Sequence, residues 1–152
     1  MGCFRDDLTQ LRREMPGWEF HAALQGSLKR LRAEEPPPRE ANSLWCNPLG
    51  ATAWCVELLL EEREGADWIF RRCTRVRCPA ASLALGDRAG ARYLRPEIQL
   101  LYKAKTSRPK DEADLAVLLP AVSSDARGWL SSALGEWEPG HPWISRIDCG
   151  VF

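Results

Sequence analysis

The chain has 152 residues, which is long enough for one domain with a hydrophobic core. Its 21 basic and 21 acidic side chains balance, so no whole-molecule field attracts it to nucleic acid or to an anionic membrane. The content of 45% apolar and 28% charged residues excludes a disordered chain. Any affinity for a phosphate compound must therefore come from a local patch.

The sequence carries no signal for export or membrane insertion. No apolar run approaches the roughly 20 residues that span a bilayer, and the N-terminus lacks the apolar core of a secretory signal. We therefore expect a cytoplasmic protein whose partners include neither a membrane nor a nucleic acid. Its six cysteines contain no Cys-x-x-Cys pair, which is typical of reduced, mostly buried thiols.

The first 95 residues predict one short helix followed by strands. An apolar stripe indicates the helix over residues 4–15, with Asp6 or Asp7 as its cap. Three consecutive prolines make residues 34–40 a loop, because proline fits neither a helix interior nor a central strand. Alternating or β-branched segments predict strands at residues 18–24, 43–48, 53–62, 68–73 and 74–79.

The remaining residues predict helices. Pro96 suits a first helical turn, and apolar residues at helical spacing continue that helix to Ala104. Further helices are predicted at residues 111–119, at 123–137 with Ser123 or Ser124 as cap, and at 141–147 with a capping His141. We therefore expect one α+β domain over residues 1–152, with a mixed, mostly antiparallel sheet in 1–95 and helices in 96–152.

Glu57 is the first candidate functional residue. It lies inside the apolar strand segment "WCVELLLEE", where alternation puts Cys55, Glu57 and Leu59 on one face and Val56 and Leu58 on the other. A carboxylate in the middle of a strand is costly to bury unless it binds a metal, a cation or a hydrogen-bond donor. The alternative is a face that is simply exposed to solvent.

A cationic segment, "KAKTSRPKDEADL", forms the second candidate. It contains Lys103, Lys105, Arg108 and Lys110, and a helix start there favours an anion through its N–H groups and dipole. The three carboxylates that follow are also ordinary first-turn residues without any function. His21 and His141 are weaker candidates, and the tryptophans are expected to pack rather than to stack on bases.

Several segments together resemble a known family. "GWEFHAALQGSL", "LWCNP", "WCVELLLEE", "YLRPEIQLLYKAK", "RPKDEADL" and "PGHPW" occur in this order along nearly the whole chain. They resemble bacterial nucleotidyltransferase-like proteins related to aminoglycoside 2″-adenylyltransferase. The most specific parts of the resemblance are residues 96–114 and 139–143.

The resemblance implies a nucleotidyltransferase core followed by helices, and a magnesium-dependent transfer of AMP from ATP to a hydroxyl group of a small molecule such as an aminoglycoside. In such enzymes two acids two positions apart on one strand, and a third on a neighbouring strand, hold the metal. By position Glu57 corresponds to the third acid, as catalytic residue and metal ligand. Lys103, Lys105 and Lys110 are then expected to face the nucleotide phosphates.

The sequence departs from the family pattern at one decisive place. Members carry a glycine-rich helix start and an Asp-x-Asp strand immediately before the segment that reads "GCFRDDL" here. Asp6 and Asp7 do not replace that pair, because consecutive strand residues point to opposite faces. We therefore expect an incomplete core: either a nucleotidyltransferase with a truncated or misassigned start, or a non-catalytic remnant that binds a nucleotide or a protein.

Two further expectations follow. A sheet edge left by an absent strand predicts a homodimer through that edge. An unrelated interaction domain is the third reading of the chain.

Overall fold

The computed structural model describes residues 2–150 and divides them into two compact units. The first unit ends at Arg63 and the second begins at Glu64. Mostly antiparallel strands and helices occur together, and the four longest helices follow the last strand. The predicted fold class, α+β with a mostly antiparallel sheet and C-terminal helices, is therefore confirmed.

The first unit is a sheet with one helix. Its hydrogen-bonded order is β3-β2-β4-β5, all antiparallel, and β1 pairs with β5 in parallel. The elements are β1 (Gly2–Phe4), α1 (Leu8–Glu14), β2 (Trp18–Leu24), β3 (Ser27–Arg30), β4 (Ser43–Pro48) and β5 (Val56–Glu64), whose last residue belongs to the second unit.

Strand alternation decides which face of this sheet is the core. Leu44 on β4 pairs with Leu58 on β5, and both side chains are buried. Phe20 on β2 pairs with Cys46 and lies on the same side, against Leu8 of α1. Because strand side chains alternate, Glu57 and Leu59 share the face that the sequence predicts for them, and this face points away from the core and is exposed.

The side chain of Arg5 holds the proline loop in place. It donates to the carbonyl oxygens of Pro38 (3.2 Å) and Ala41 (2.8 Å) and pairs with Glu62 at 3.0 Å. A planar guanidinium offers several donors in fixed directions, so one residue can satisfy several acceptors of a segment that has few N–H groups of its own. The loop predicted at residues 34–40 is thus an ordered loop tied to β5.

The second unit contains short strands and then helices. Its antiparallel hairpins are β6 (Asp67–Ile69) with β7 (Arg77–Pro79) and β8 (Ala84–Gly86) with β9 (Arg92–Leu94). The helices are α2 (Pro96–Lys103), α3 (Pro109–Leu118), α4 (Ser124–Trp137) and α5 (Pro142–Cys149). Trp68, Phe70 and Trp143 are fully buried, so three of the large aromatic residues do pack in the interior.

The helix caps agree with the sequence in the second unit and differ in the first. Ser123 accepts from the N–H of Ala126, and His141 accepts from the N–H of Trp143. Asp7 occupies the cap position of α1 without a side-chain capping bond. Asp6 and Asp7 both pair with Arg63 instead, so the predicted capping by these carboxylates is wrong.

Other predictions also need correction. The strand predicted at residues 53–62 begins only at Val56. The hairpin β8–β9 was missed, since its sequence lacks strong alternation. The cysteines form no disulfide, but they are not mostly buried: only Cys46 is fully buried, whereas Cys55 and Cys149 are exposed. Among residues 2–150, no helix combines the length and the apolar character that crossing a membrane requires.

Candidate functional site

Glu57 lies on the outer face of the first unit, the face opposite the core. The antiparallel register puts it directly across from Trp45 on β4. Trp45 is in turn directly across from His21 on β2, and His21 from Arg30 on β3. Directly paired residues share a face, so these four side chains form one row across four strands, the outer row: Arg30, His21, Trp45 and Glu57.

The middle of the outer row is aromatic. Trp54, in the loop before β5, packs edge-on against His21 with ring centres 4.9 Å apart and against Trp45 at 6.2 Å. Its side chain remains 42% exposed, which is unusual for the largest apolar residue. An exposed indole beside a second indole and a carboxylate offers a planar ligand both a stacking surface and a hydrogen-bond acceptor.

His21 is held in the row without a complete set of hydrogen bonds. Its Nε2 atom is buried and has no hydrogen-bond partner, and the nearest carboxylate oxygen, from Glu19, is 3.6 Å away. That distance is too long for a hydrogen bond. Glu19 is already paired with Arg30 at 2.5 Å.

The sequence of β2 contains a signal for this row. In "WEFHAAL" alternation puts Glu19 and His21 together on the face opposite Phe20. Which residues of other strands lie beside them depends on register, and register is not readable from one strand. His21, ranked as a weak candidate from sequence, therefore becomes part of the site.

The predicted phosphate-binding lysines belong to the second unit. Lys103, at the end of α2, pairs with Asp114 at 2.6 Å and lies 3.6 Å from Asp111. Hydrogen bonding to Asp114 raises the pKa of Lys103, which keeps it charged. Two carboxylates therefore already compensate the positive charge of Lys103, which the resemblance expects to face nucleotide phosphates.

Asp111 is the centre of this polar network. It is fully buried and accepts from the backbone N–H of Arg108 (3.1 Å) and from its Nε (2.8 Å). The side-chain bond from Arg108 is the largest cause that lowers the pKa of Asp111, to about 2. A charged, buried and fully bonded carboxylate at a helix start stabilises the turn between α2 and α3.

The neighbouring Glu112 connects α3 with α5. Its carboxylate accepts from the indole N–H of Trp143 at 2.7 Å and pairs with Arg146. Burial alone would raise the pKa of Glu112, but the bonds from Trp143 and Arg146 outweigh it and lower the pKa. The segments "RPKDEADL" and "PGHPW", the most specific parts of the family resemblance, thus meet in a network that holds helices together.

His141 completes the same network. Its Nδ1 accepts from the N–H of Trp143 at 3.1 Å, so its Nε2 carries the proton and donates to the carbonyl oxygen of Ala104 at 3.0 Å. Ser107 lies 3.5 Å from the same Nε2. Because that nitrogen is already a donor to Ala104, it is not poised to remove a proton from the serine hydroxyl.

Lys105 and Lys110 are exposed on the same unit. Within residues 2–150, no carboxylate forms a salt bridge with either of them, in contrast to Lys103. These two side chains are therefore the ones available to an anion. Glu57 belongs to the first unit and all three lysines to the second.

The acidic side chains of the described residues are not grouped as a magnesium site requires. Across residues 2–150 there is no group of three or more His, Cys, Asp or Glu side chains that could hold a metal ion. The three-acid set that the resemblance implies is represented in this part of the chain by Glu57 alone. These residues therefore do not fit an all-protein magnesium centre.

Comparisons with known proteins identify no relative: no family model, no curated protein and no solved structure matches the chain.

Proposed function

We propose that this chain is a cytoplasmic nucleotidyltransferase-like protein that binds an adenine nucleotide weakly on the outer row, with impaired transfer of AMP to a small hydroxyl compound. The observation that carries the proposal is the row itself, an exposed indole and a second indole directly beside the carboxylate of Glu57. The ordered set of family-like segments supports the choice of a nucleotide over other planar ligands.

Each member of the row has a distinct role in this proposal. The adenine stacks on Trp54, since base–indole stacking tolerates any orientation that keeps the two planes together. Glu57 accepts hydrogen bonds from the nucleotide, or approaches a magnesium ion that the phosphates bring with them. Within residues 1–152, Glu57 is the carboxylate of the row, and no Asp-x-Asp accompanies it.

The test is a calorimetric titration of the whole chain with ATP, with and without Mg²⁺. We expect binding in the high micromolar to millimolar range, weakened at least about fivefold by Trp54→Leu. Glu57→Gln is expected to remove any gain in affinity that Mg²⁺ provides. Glu40→Gln, which removes an exposed carboxylate from the same unit outside the row, serves as the matched control.

Two outcomes would overturn the proposal. One is the absence of heat at millimolar ATP for the folded chain. The other is an affinity that Trp54→Leu and Glu57→Gln leave at the value of the Glu40→Gln control. A different result would refute only the claim of impaired activity. This result is the transfer of labelled AMP to an aminoglycoside at a rate typical of enzymes, about 1 per second or faster.

A second candidate is pairing of two copies through a sheet edge. β3 is an edge strand of the first unit, and all four of its residues, Ser27–Arg30, are exposed. Exposed N–H and C=O groups on such a strand can pair with a second chain, although Lys29 and Arg30 oppose it by charge. Light scattering over a range of concentrations decides: a constant monomer mass excludes this candidate.

A further inference from the structure

A second feature of the first unit lies apart from Glu57 and Trp54. A cavity of about 880 Å³ is bounded by the C-terminal half of α1, the start of β2, the end of β3 and the residues that follow it. A backbone bond of 2.7 Å from Leu49 to Gly17 closes one side. This volume lies within the range of small-molecule sites, roughly 300–1,000 Å³.

The floor of the cavity is apolar. Phe20 and Leu31 line it and are otherwise buried in the sheet core. Trp18, Met15 and Leu49 extend the apolar lining toward the solvent. A ligand with a flat hydrocarbon body would bury apolar surface on both sides here.

The rim of the cavity is positively charged. Four arginines and two glutamates are among the lining residues: Arg12, Arg13, Arg30, Arg32, Glu19 and Glu34. Arg30 and Glu19 belong to the outer face and pair with each other, so the other three arginines and Glu34 leave an excess of two positive charges in a chain whose overall charge is zero. Low-dielectric walls concentrate the field of such charges inside a cleft. The cavity therefore attracts anions although the protein as a whole has no net charge.

The partners of these arginines show which charges remain uncompensated. Arg30 pairs with Glu19 at 2.5 Å, and Arg13 lies 3.8 Å from Glu34 with both side chains well exposed. Arg12 donates to the carbonyl oxygens of Glu35 (2.8 Å) and Arg32 and lies over the ring of Phe20.

Carbonyl groups orient a guanidinium without cancelling its charge. Within residues 2–150, no carboxylate forms a salt bridge with Arg12 or Arg32. These two side chains supply the excess charge, and the nearby Glu35 carboxylate is already paired with Lys29 at 2.7 Å and accepts from the backbone N–H of Arg32 at 3.0 Å.

We propose that this cavity binds a small aromatic monoanion, such as an aryl sulfonate or aryl carboxylate. The rings of the ligand lie on Trp18, and its anionic group faces Arg12 and Arg32. Arg12 is pre-positioned by two backbone carbonyl groups and one ring, so little conformational entropy is lost when it meets the anion. This site is independent of the nucleotide proposal, which depends on Glu57 and Trp54.

The test uses two fluorescent probes with the same rings. 1-Anilinonaphthalene-8-sulfonate carries a sulfonate, and N-phenyl-1-naphthylamine lacks it. We expect the sulfonate to bind the folded chain at least about fivefold more tightly, and its advantage to shrink as salt is added. Equal affinity of the two probes would overturn the proposed recognition of the anion.

Variants locate the site. Arg32→Gln is expected to weaken the sulfonate about two- to fivefold, in the range of an exposed charge interaction, and to leave the neutral probe unchanged. Arg39→Gln removes the same charge from an exposed position outside the cavity and should change neither affinity. Equal effects of Arg32→Gln and Arg39→Gln would refute the assignment of the cavity.

A steric variant tests the location of the site independently. Thr9 is exposed on α1 and lines the cavity, so Thr9→Trp should fill part of it and weaken both probes while circular dichroism shows an intact fold. Unchanged binding of both probes in that variant would contradict the proposal. Trp54→Leu should not affect the sulfonate, which separates this site from the nucleotide row.

Discussion

Replacing Trp143 by phenylalanine tests whether the family-like segments of the second unit serve stability. The indole is fully buried, and its N–H donates to Glu112 at 2.7 Å. Phenylalanine retains most of the packing but lacks the donor and part of the ring. The variant therefore removes one bond of the network and leaves a small cavity.

The magnitude follows from two contributions. The lost ring atoms leave a small cavity that costs about 1 kcal/mol. A hydrogen bond to a charged acceptor contributes about 1.5–3 kcal/mol, but Glu112 keeps Arg146 and its side chain is 38% exposed, so water replaces part of the loss. We expect a total destabilisation of about 2 kcal/mol, or a decrease in Tm of about 4–8 °C.

The assay is thermal and urea unfolding followed by circular dichroism, with Trp129→Phe as control. Trp129 is a half-buried indole of the same unit, for which we expect less than about 1 kcal/mol. A double-mutant cycle with Glu112→Gln should give a coupling of about 1 kcal/mol at pH 7. A coupling of zero at pH 7, or a loss below about 0.5 kcal/mol in Trp143→Phe, would refute the reasoning.

The pH dependence of this coupling has a defined sign. The pKa of Glu112 is lowered in the folded chain, so folding favours its charged form. The stabilisation is then present above the ordinary carboxyl pKa of 4.5 and is lost as the pH falls below it. The coupling between Trp143 and Glu112 should shrink accordingly in acid.

Three further predictions concern other parts of the chain. Asp111→Asn should lower the urea midpoint at pH 7. The difference from the parent chain should disappear as the pH falls from about 3.8 toward 2, because the pKa of Asp111 is lower in the folded than in the unfolded chain. A difference that does not change with pH would contradict this. Lys103→Met should lower Tm, whereas Lys105→Met should not, since of these two lysines only Lys103 pairs with carboxylates in the described residues. Differential scanning calorimetry compares the two variants, and an equal decrease in Tm would refute this prediction. Arg5→Lys should destabilise the chain by about 1–3 kcal/mol in urea unfolding. An ammonium group cannot reach the carbonyl oxygens of Pro38 and Ala41 together with Glu62. A destabilisation no larger than that of Arg39→Lys would contradict this prediction.

Much of the fold was readable from local sequence patterns. The strand β2, the loop at residues 34–40, the helix that begins at Pro96 and the caps by Ser123 and His141 all occur where they are predicted. These features depend on neighbours within a few residues, such as side-chain alternation, proline and capping hydroxyls. The placement of Glu57 and Leu59 on one face, opposite Val56 and Leu58, follows from the same alternation.

The pairing between distant residues was decided only in three dimensions. The sequence suggested that Asp6 or Asp7 caps a helix, but the presence of Arg63 on β5 gives both carboxylates a better partner. Lys103 reads as a cation in a basic segment, yet the turn between α2 and α3 brings Asp111 and Asp114 to it.

Register and loop closure set these contacts, and neither is encoded within a single segment. The sequence by itself determined most helices, the strand β2 and the proline loop, and it put Glu57 and Leu59 on one face of their strand. Only the tertiary structure decided that His21, Trp45 and Trp54 lie with Glu57, and that Arg12 and Arg32 line one cavity with Phe20, because both depend on which elements lie side by side.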